Sequence, residues 1–303
     1  MPYMGSKNQI AKWVIEHLPK KDNLYDLFGG GGAITHCACE SGKYTQIYYN
    51  DCNQLVVKAF DMAIHGKFKN ENRWISHDEF MEKRRTDPYV AFCFSFGNDL
   101  RLYAYSKDKE KYKKALHYAI CYGDFSLLDE LGVNIDHNLT DRIKITNAIK
   151  EKIKELSCLE NFKRLQNLQS LERLQSLERL QSLQSLERLH SLESLERLQS
   201  LERLDYREIK VKENSVIYCD PPYSNTRGYK IKFDNERFYS WCRKQKELVI
   251  ISEYNMPDDF ICVAQKEKRS LMCKDDKTTK KTEKLFVPKH QYQIYLDAMA
   301  VLS

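Results

Sequence analysis

The segment from Leu24 to Tyr49 does more than any other to limit what this chain can fold into. Leu24–Phe28 reads as a short strand, and Gly29–Gly32 are four consecutive glycines. A helix of small residues begins at Ala33, and Gln46–Tyr49 is again strand-like. Two strands joined through a helix lie parallel in one sheet, and a parallel sheet is covered by helices on both faces. The segment therefore opens an α/β domain. Glycines at a strand end let the backbone turn sharply and let a ligand approach it near the next helix N-terminus. The run is neither G-x-G-x-x-G in its usual register nor a Walker loop, since no Gly-Lys-Ser/Thr follows.

Three textures divide the chain. Residues 1–65 alternate helical and strand patterns, beginning with a helical Ile10–Leu18. Residues 66–205 are more polar and helix-rich, with a Lys-rich helix near Lys107–Tyr118. Residues 206–303 return to α/β character, with candidate strands at Val216–Cys219, Leu248–Ser252, Phe260–Gln265 and Gln291–Asp297. The expectation is one discontinuous domain, 1–65 with 206–303, carrying an inserted, mostly helical module at 66–205.

Inside the insert, every third residue from Leu156 to Leu204 is Leu, apart from Phe162, on a background of Gln, Ser, Glu and Arg. On an α-helix a three-residue step slips by about 60°, so the leucines circle the helix. The period also misses the coiled-coil heptad, the two-residue repeat of a strand, and the short length usual for 3₁₀ helices. A bundle of short helices, a compact solenoid and a loosely structured expansion remain. The expectation is a spacer that packs its own leucines, with a partner-binding arm as the sharper alternative.

Composition adds bounds. A chain of 303 residues with formal charge +6 is compatible with a polyanionic partner without specifying one. Ten cysteines are scattered with no C-x-x-C pair, so no zinc site is expected. No signal peptide opens the chain and no apolar run reaches the length of a membrane span. The expectation is a cytoplasmic protein with reduced thiols and no membrane partner.

Chemistry concentrates at Asp220-Pro221-Pro222-Tyr223, which follows the apolar strand pattern Ser215–Cys219. The prolines fix the backbone and leave carbonyls without competing local N–H donors. Asp220 is an acceptor-only carboxylate, and Tyr223 offers a flat face for a planar ring. Together they form a jaw for an amino group on an aromatic ring; an ordinary proline turn is the alternative. Asn50-Asp51 ends the second strand, where an acidic residue can accept both hydroxyls of a ribose or cap the next helix.

Five blocks in order give the chain its resemblance to the Dam-like, D12 class of DNA adenine-N6 methyltransferases. They are Tyr3-Met4-Gly5-Ser6-Lys7, Asp26-x-Phe28-x-Gly30-x-Gly32, Asn50-Asp51, Ser95-Phe96-Gly97-Asn98 and Asp220–Tyr223. Tyr3 stands where the family often has Trp, and Gly29 is an extra glycine expected to be tolerated. The resemblance implies a class I Rossmann-like sheet and S-adenosylmethionine as methyl donor, with no metal. It also implies double-stranded DNA as partner, in reactions of the restriction–modification kind. It places Tyr3, Lys7, Asp26, Phe28, Gly30, Gly32 and Asp51 at the donor, with Asp220 between donor and target base. Tyr223 would stack on a flipped adenine while Asp220 and the Pro221 carbonyl accept from N6–H. Cytosine N4 is the nearest alternative target, and a non-catalytic DNA-binding or interaction protein on the same core the alternative class.

Other candidates are less specific. Ser252–Asn255 ends a strand and either lines the pocket or is a plain loop. Lys274–Lys284, with Arg269 before it, is a phosphate contact or a solvated charged loop. Arg101, Tyr103, Tyr105, Lys107 and Lys111 form a DNA-facing surface or pack a helix. Cys219 is expected to pack in its strand, and His117 and His290 to be structural.

Overall fold

The computed structural model describes residues 1, 6–96, 100–156, 175–184, 197–222, 233–269 and 280–300. The chain separates into two compact units, one of Met1, Gly5–His65 and Leu186–Ser303, the other of Pro2–Met4 and Gly66–Ser185. Among the described residues no helix is long and apolar enough to cross a membrane.

Among the described residues the first unit is built on a seven-stranded sheet. Its strands are β1 (Asn23–Asp26), β2 (Gln46–Asn50), β3 (Leu198–Glu202), β4 (Ser215–Cys219), β5 (Leu248–Glu253), β6 (Phe260–Arg269) and β7 (Lys280–Pro288). They lie in the order β3-β2-β1-β4-β5-β7-β6, parallel except for β7, which runs against both β5 and β6. This mixed α/β sheet agrees with the fold expected from the resemblance. β4 and β5 are buried at every residue, as their unbroken apolar runs require of central strands covered on both faces. Ile217, Val249 and Ile251 pack with Phe238 and Cys242 on one such face. From β1 the chain winds outward through β2 to β3, then crosses back to β4. The carboxyl ends of β1 and β4 therefore lie side by side where the winding reverses, the place at which open α/β sheets leave a crevice.

Three local readings change. Gln291–Asp297 is not a strand: a 3₁₀ turn, Lys289–Gln291, leads into a helix, Tyr292–Ala300. The alternation Gln-Tyr-Gln-Ile-Tyr imitates a strand, but the Gln291 side chain fixes the turn. Its Oε1 accepts from Val249 N (2.9 Å), and its Nε2 donates to the Gln245 and Glu247 carbonyls at 3.0 and 2.9 Å. Tyr295, one turn on, is buried and its hydroxyl donates to the His17 carbonyl. Conversely the charged tract through Lys284 is no loop at its C-terminal end; Lys280–Pro288 is β7, whose Leu285, Phe286 and Val287 are buried.

The leucine repeat contributes to both units. Gln175–Gln184 is a helix whose Leu177 and Leu180 are buried. Over so short a span a 60° slip keeps successive leucines on one side. Leu198–Glu202 is the edge strand β3, against the expectation that a three-residue period cannot form one. A register shift between Ile47 and Tyr48 explains it: Ile47 faces Leu198 and Tyr49 faces Leu201, so three residues on β3 match two on β2. The core sheet thus includes residues before 206. Positions 157–174 and 185–196 of the repeat lie outside the described residues.

The second unit is helical around Pro88–Phe94, every residue of which is buried, with Asp87 capping its start by accepting from the Tyr89 amide at 2.9 Å. Tyr105 packs with Phe94 and Trp74, and Tyr103 with His77, Phe80 and Tyr105, rather than facing outward; the Tyr103 hydroxyl donates to the Ile75 carbonyl (2.7 Å). Lys107 and Lys111 of the same stretch are exposed. His117 bonds the Asn72 carbonyl (2.6 Å) inside this cluster.

Candidate active site

The glycine turn after β1 is shaped by aromatic packing. Tyr49 is fully buried, stacks on Phe60 with ring centroids 4.6 Å apart, and donates through its hydroxyl to the Gly30 carbonyl at 2.8 Å. A Cβ on Gly29 would lie 2.1 Å from the Tyr49 ring, so the apparently extra glycine is a position where the backbone passes against an aromatic face. Gly32 begins the helix Ala33–Ser41 at φ +71° with the Phe60 ring 2.3 Å from where its Cβ would stand. There both backbone conformation and space call for glycine.

Asn50 and Asp51 fasten this turn to its neighbours. The Asn50 amide donates to the carbonyls of Leu27 and Leu204, and its Oδ1 accepts from Leu204 N at 2.9 Å. It thereby joins the ends of β1 and β2 to the chain leaving β3. Asp51 accepts from the Gly30 amide on Oδ2 (3.0 Å) and from the Asn53 amide on Oδ1 (2.8 Å). Burial raises its pKa, and those two amides oppose the rise. Asn53, not Asp51, caps the following helix, Gln54–Ile64. Each oxygen of Asp51 keeps a further lone pair with which to accept from a ligand.

Asp26 closes β1 and is buried. The Thr35 hydroxyl donates to its Oδ2 at 2.7 Å, while Oδ1 meets no hydrogen-bond partner among the described residues. Burial pushes the Asp26 carboxyl up to about 7; Thr35 opposes this, and the Asp220 and Asp51 charges add to it. Phe28, one turn beyond, is half-buried and meets Tyr206, Phe233 and Phe238 at centroid distances of 5.4, 5.8 and 5.7 Å.

Asp220 follows β4 directly, across the sheet from Asp26. Its Oδ1 lies 3.0 Å from Lys7 Nζ, which also pairs with Glu283 Oε1 of β7 at 2.6 Å. Burial alone would lower the Lys7 pKa, but the Asp220 and Glu283 charges outweigh it and hold the ammonium above the ordinary lysine value. Ser252 Oγ donates to Glu283 Oε1 (3.2 Å). Glu253, at the end of β5, is buried and accepts from the Tyr254 amide at 2.8 Å; burial, with the Asp220 charge, pushes it up to about 7. Asp220, Glu253 and Glu283 thus gather around one described lysine, with Asp26 near enough for its charge to act on Asp220, an arrangement that favours a cation brought from outside.

Of the residues singled out from sequence, Lys7, Asp26, Phe28, Gly30, Gly32, Asp51, Asp220 and Pro221 stand along this carboxyl edge or on the turns that form it. Tyr3, Tyr223, Gly97 and Asn98 lie outside the described residues. Cys219 is wholly buried with its thiol pKa pushed well up by that burial, the behaviour of a packing residue. Sequence reasoning missed Glu283, because the only sign of it was an acidic residue in a Lys/Thr-rich tract that had no strand assigned.

The sequence model of the family described as D12 class N6 adenine-specific DNA methyltransferase matches residues 3–172, more than half of the chain. The match takes in the N-terminal, glycine, Asn50-Asp51 and Ser95–Asn98 blocks and ends before Asp220. No curated protein matched the chain.

Proposed function

The chain belongs to the D12 class of N6 adenine-specific DNA methyltransferases, and from that premise we propose how its carboxyl edge serves the reaction. The reaction itself is given by the family: a methyl group passes from S-adenosylmethionine to N6 of adenine in DNA. When bound, S-adenosylmethionine supplies an electrophilic methyl on a positively charged sulfur. The residues present suit it. The carboxylates around Lys7 favour a cation, and Asp26 Oδ1, which meets no partner among the described residues, is a buried acceptor suited to a donor. Lys7, Asp26, Phe28, Gly30, Gly32 and Asp51 would hold it, with Tyr3 from the same block as Lys7. The half-buried Phe28 face, beside Tyr206, suits a flat heterocycle.

Asp220 and the Pro221 carbonyl accept hydrogen bonds from N6–H, which concentrates lone-pair density on the nitrogen and aims it. The amine loses one proton on becoming methylated, and Asp220 and Glu253 are the carboxylates available to take it up. Tyr223 stacks on the adenine, which must leave the duplex to reach the edge. Rate enhancement then comes from positioning and fixed charge. Residues 1–65 and 206–303 serve as the donor-binding, catalytic part, with β3 added to it, and 66–205 as the target-recognition part.

The observation that carries this reading is Asp220 standing at the sheet's winding reversal, beside the glycine turn and tied to Lys7. The test is incubation with labelled S-adenosylmethionine and unmethylated DNA, followed by digestion to nucleosides. Label is expected in N6-methyl-2′-deoxyadenosine, and Asp220→Ala is expected to abolish it with the fold intact. Full transfer by that variant, or label in N4-methylcytosine instead, overturns the assignment.

A further inference from the structure

Parallel strands bring their last residues to the carboxyl edge. β7 runs against them, so its early residues arrive there instead. Glu253 of β5 pairs with Lys284, which puts Glu283 next to the site from a strand that carries none of the family blocks. Glu283 Oε1 then meets Lys7 Nζ at 2.6 Å and the Ser252 hydroxyl at 3.2 Å. Exposure falls along this line from 17% at Asp220 to 4% at Lys7 and 1% at Glu283. Asp220 stands at the mouth, the ammonium behind it, and Glu283 at the back.

Folding alone gives little reason for this arrangement. Buried ion pairs are weak sources of stability, and apolar residues of similar volume often do as well or better. Geometry supplies a reason. An ammonium facing a single carboxylate can close on both of its oxygens and draw it inward. One held from behind keeps a set place on Oδ1. We propose that Glu283 is a positioning residue for methyl transfer, anchoring the Lys7 ammonium from behind and so fixing the orientation in which Asp220 meets the target amine. Ser252 orients Glu283 in turn. The proposal rests on Asp220 being the acceptor for N6–H.

Glu283→Gln keeps the shape and removes the charge. We expect kcat to fall by about 100-fold, the scale set by a misplaced reacting group, with the loss in kcat exceeding any change in KM for S-adenosylmethionine or DNA. The pH–rate profile gives a readout that a merely structural role would not move. With one of its two partner charges gone, the buried Lys7 gives up its proton at lower pH, so the basic limb of the variant moves to lower pH. Glu283→Asp is expected to recover part of kcat. Wild-type kcat in Glu283→Gln overturns the proposal, and so does an unmoved basic limb. Ser252→Ala leaves every charge in place and is expected to lower kcat severalfold; should Glu283→Gln not fold, wild-type kcat in Ser252→Ala overturns the proposal. Asp220→Ala is run in parallel: its remaining active would sink the acceptor role itself, whereas its inactivity beside a fully active Glu283→Gln sinks only the positioning role.

Discussion

Replacing Gly29 by Ala isolates one steric contact. The residue has no left-handed φ, so alanine meets no backbone penalty there, and the cost is the methyl group alone. That methyl would stand 2.1, 2.4 and 3.0 Å from three atoms of the Tyr49 ring, well inside van der Waals contact. Tyr49 has little freedom to retreat, because it is fully buried, stacked on Phe60 and hydrogen-bonded to Gly30. Overpacking a filled core costs about 1–3 kcal/mol. Loss of the Tyr49 hydroxyl bond adds roughly 1 kcal/mol. We therefore expect Gly29→Ala to destabilise the protein by about 2–4 kcal/mol, measured by equilibrium urea unfolding. A double-mutant cycle with Tyr49→Ala separates the clash from other effects. Removing the ring leaves room for the methyl, so the Gly29→Ala penalty should shrink by at least about 1 kcal/mol in that background. Gly29→Ala within about 0.5 kcal/mol of wild type, the range of an inert surface change, would refute the argument, as would full additivity of the pair.

Asp51→Ala leaves two backbone amides without their acceptor, so we expect a loss of about 1–3 kcal/mol together with weaker S-adenosylmethionine binding by calorimetry; Asp51→Asn should lose less stability. Asp26 has a folded pKa raised to about 7 from an ordinary value near 4. Between those values the folded state holds a proton that the unfolded state has lost, so stability falls as pH rises through that window. Asp26→Asn should flatten that fall in thermal melts from pH 4 to 7. Leu180→Ala should cost about 2–5 kcal/mol by urea unfolding, because that leucine is buried core rather than spacer.

The parts of the fold legible in the sequence were those where one local signal dominates. The glycine run with strand patterns on either side marked β1, the turn and β2, and the apolar runs of β4 and β5 needed no context. Elsewhere a local signal pointed the wrong way. Gln291–Asp297 alternates like a strand, yet Gln291 is held by backbone groups around β5, and the chain continues as a helix. β7 begins among lysines and threonine, so charge hid its pairing. β3 has a three-residue period that becomes a strand only through a bulge opposite β2, and a bulge leaves no mark in the sequence. In the candidate site, Lys7, Asp51 and Asp220 were visible as motif residues. The clamp made by Asn50 and the ion pair made by Glu283 were not, since both depend on which strand ends meet. The role of Asp51 as a fastener of the glycine turn likewise emerges only when Gly30 and Asn53 are seen around it.

The bulge between β2 and β3 also bears on how this gene can change length. Ile47 and Tyr49 ask only for leucines three residues apart, and such pairs recur from Leu165 to Leu204. Gain or loss of whole triplets upstream of β3 therefore leaves the sheet edge supplied with the same pair, because the unit that moves into place matches the one that moves out at both leucines. Here the sheet is joined to that tract through a contact blind to the number of repeats.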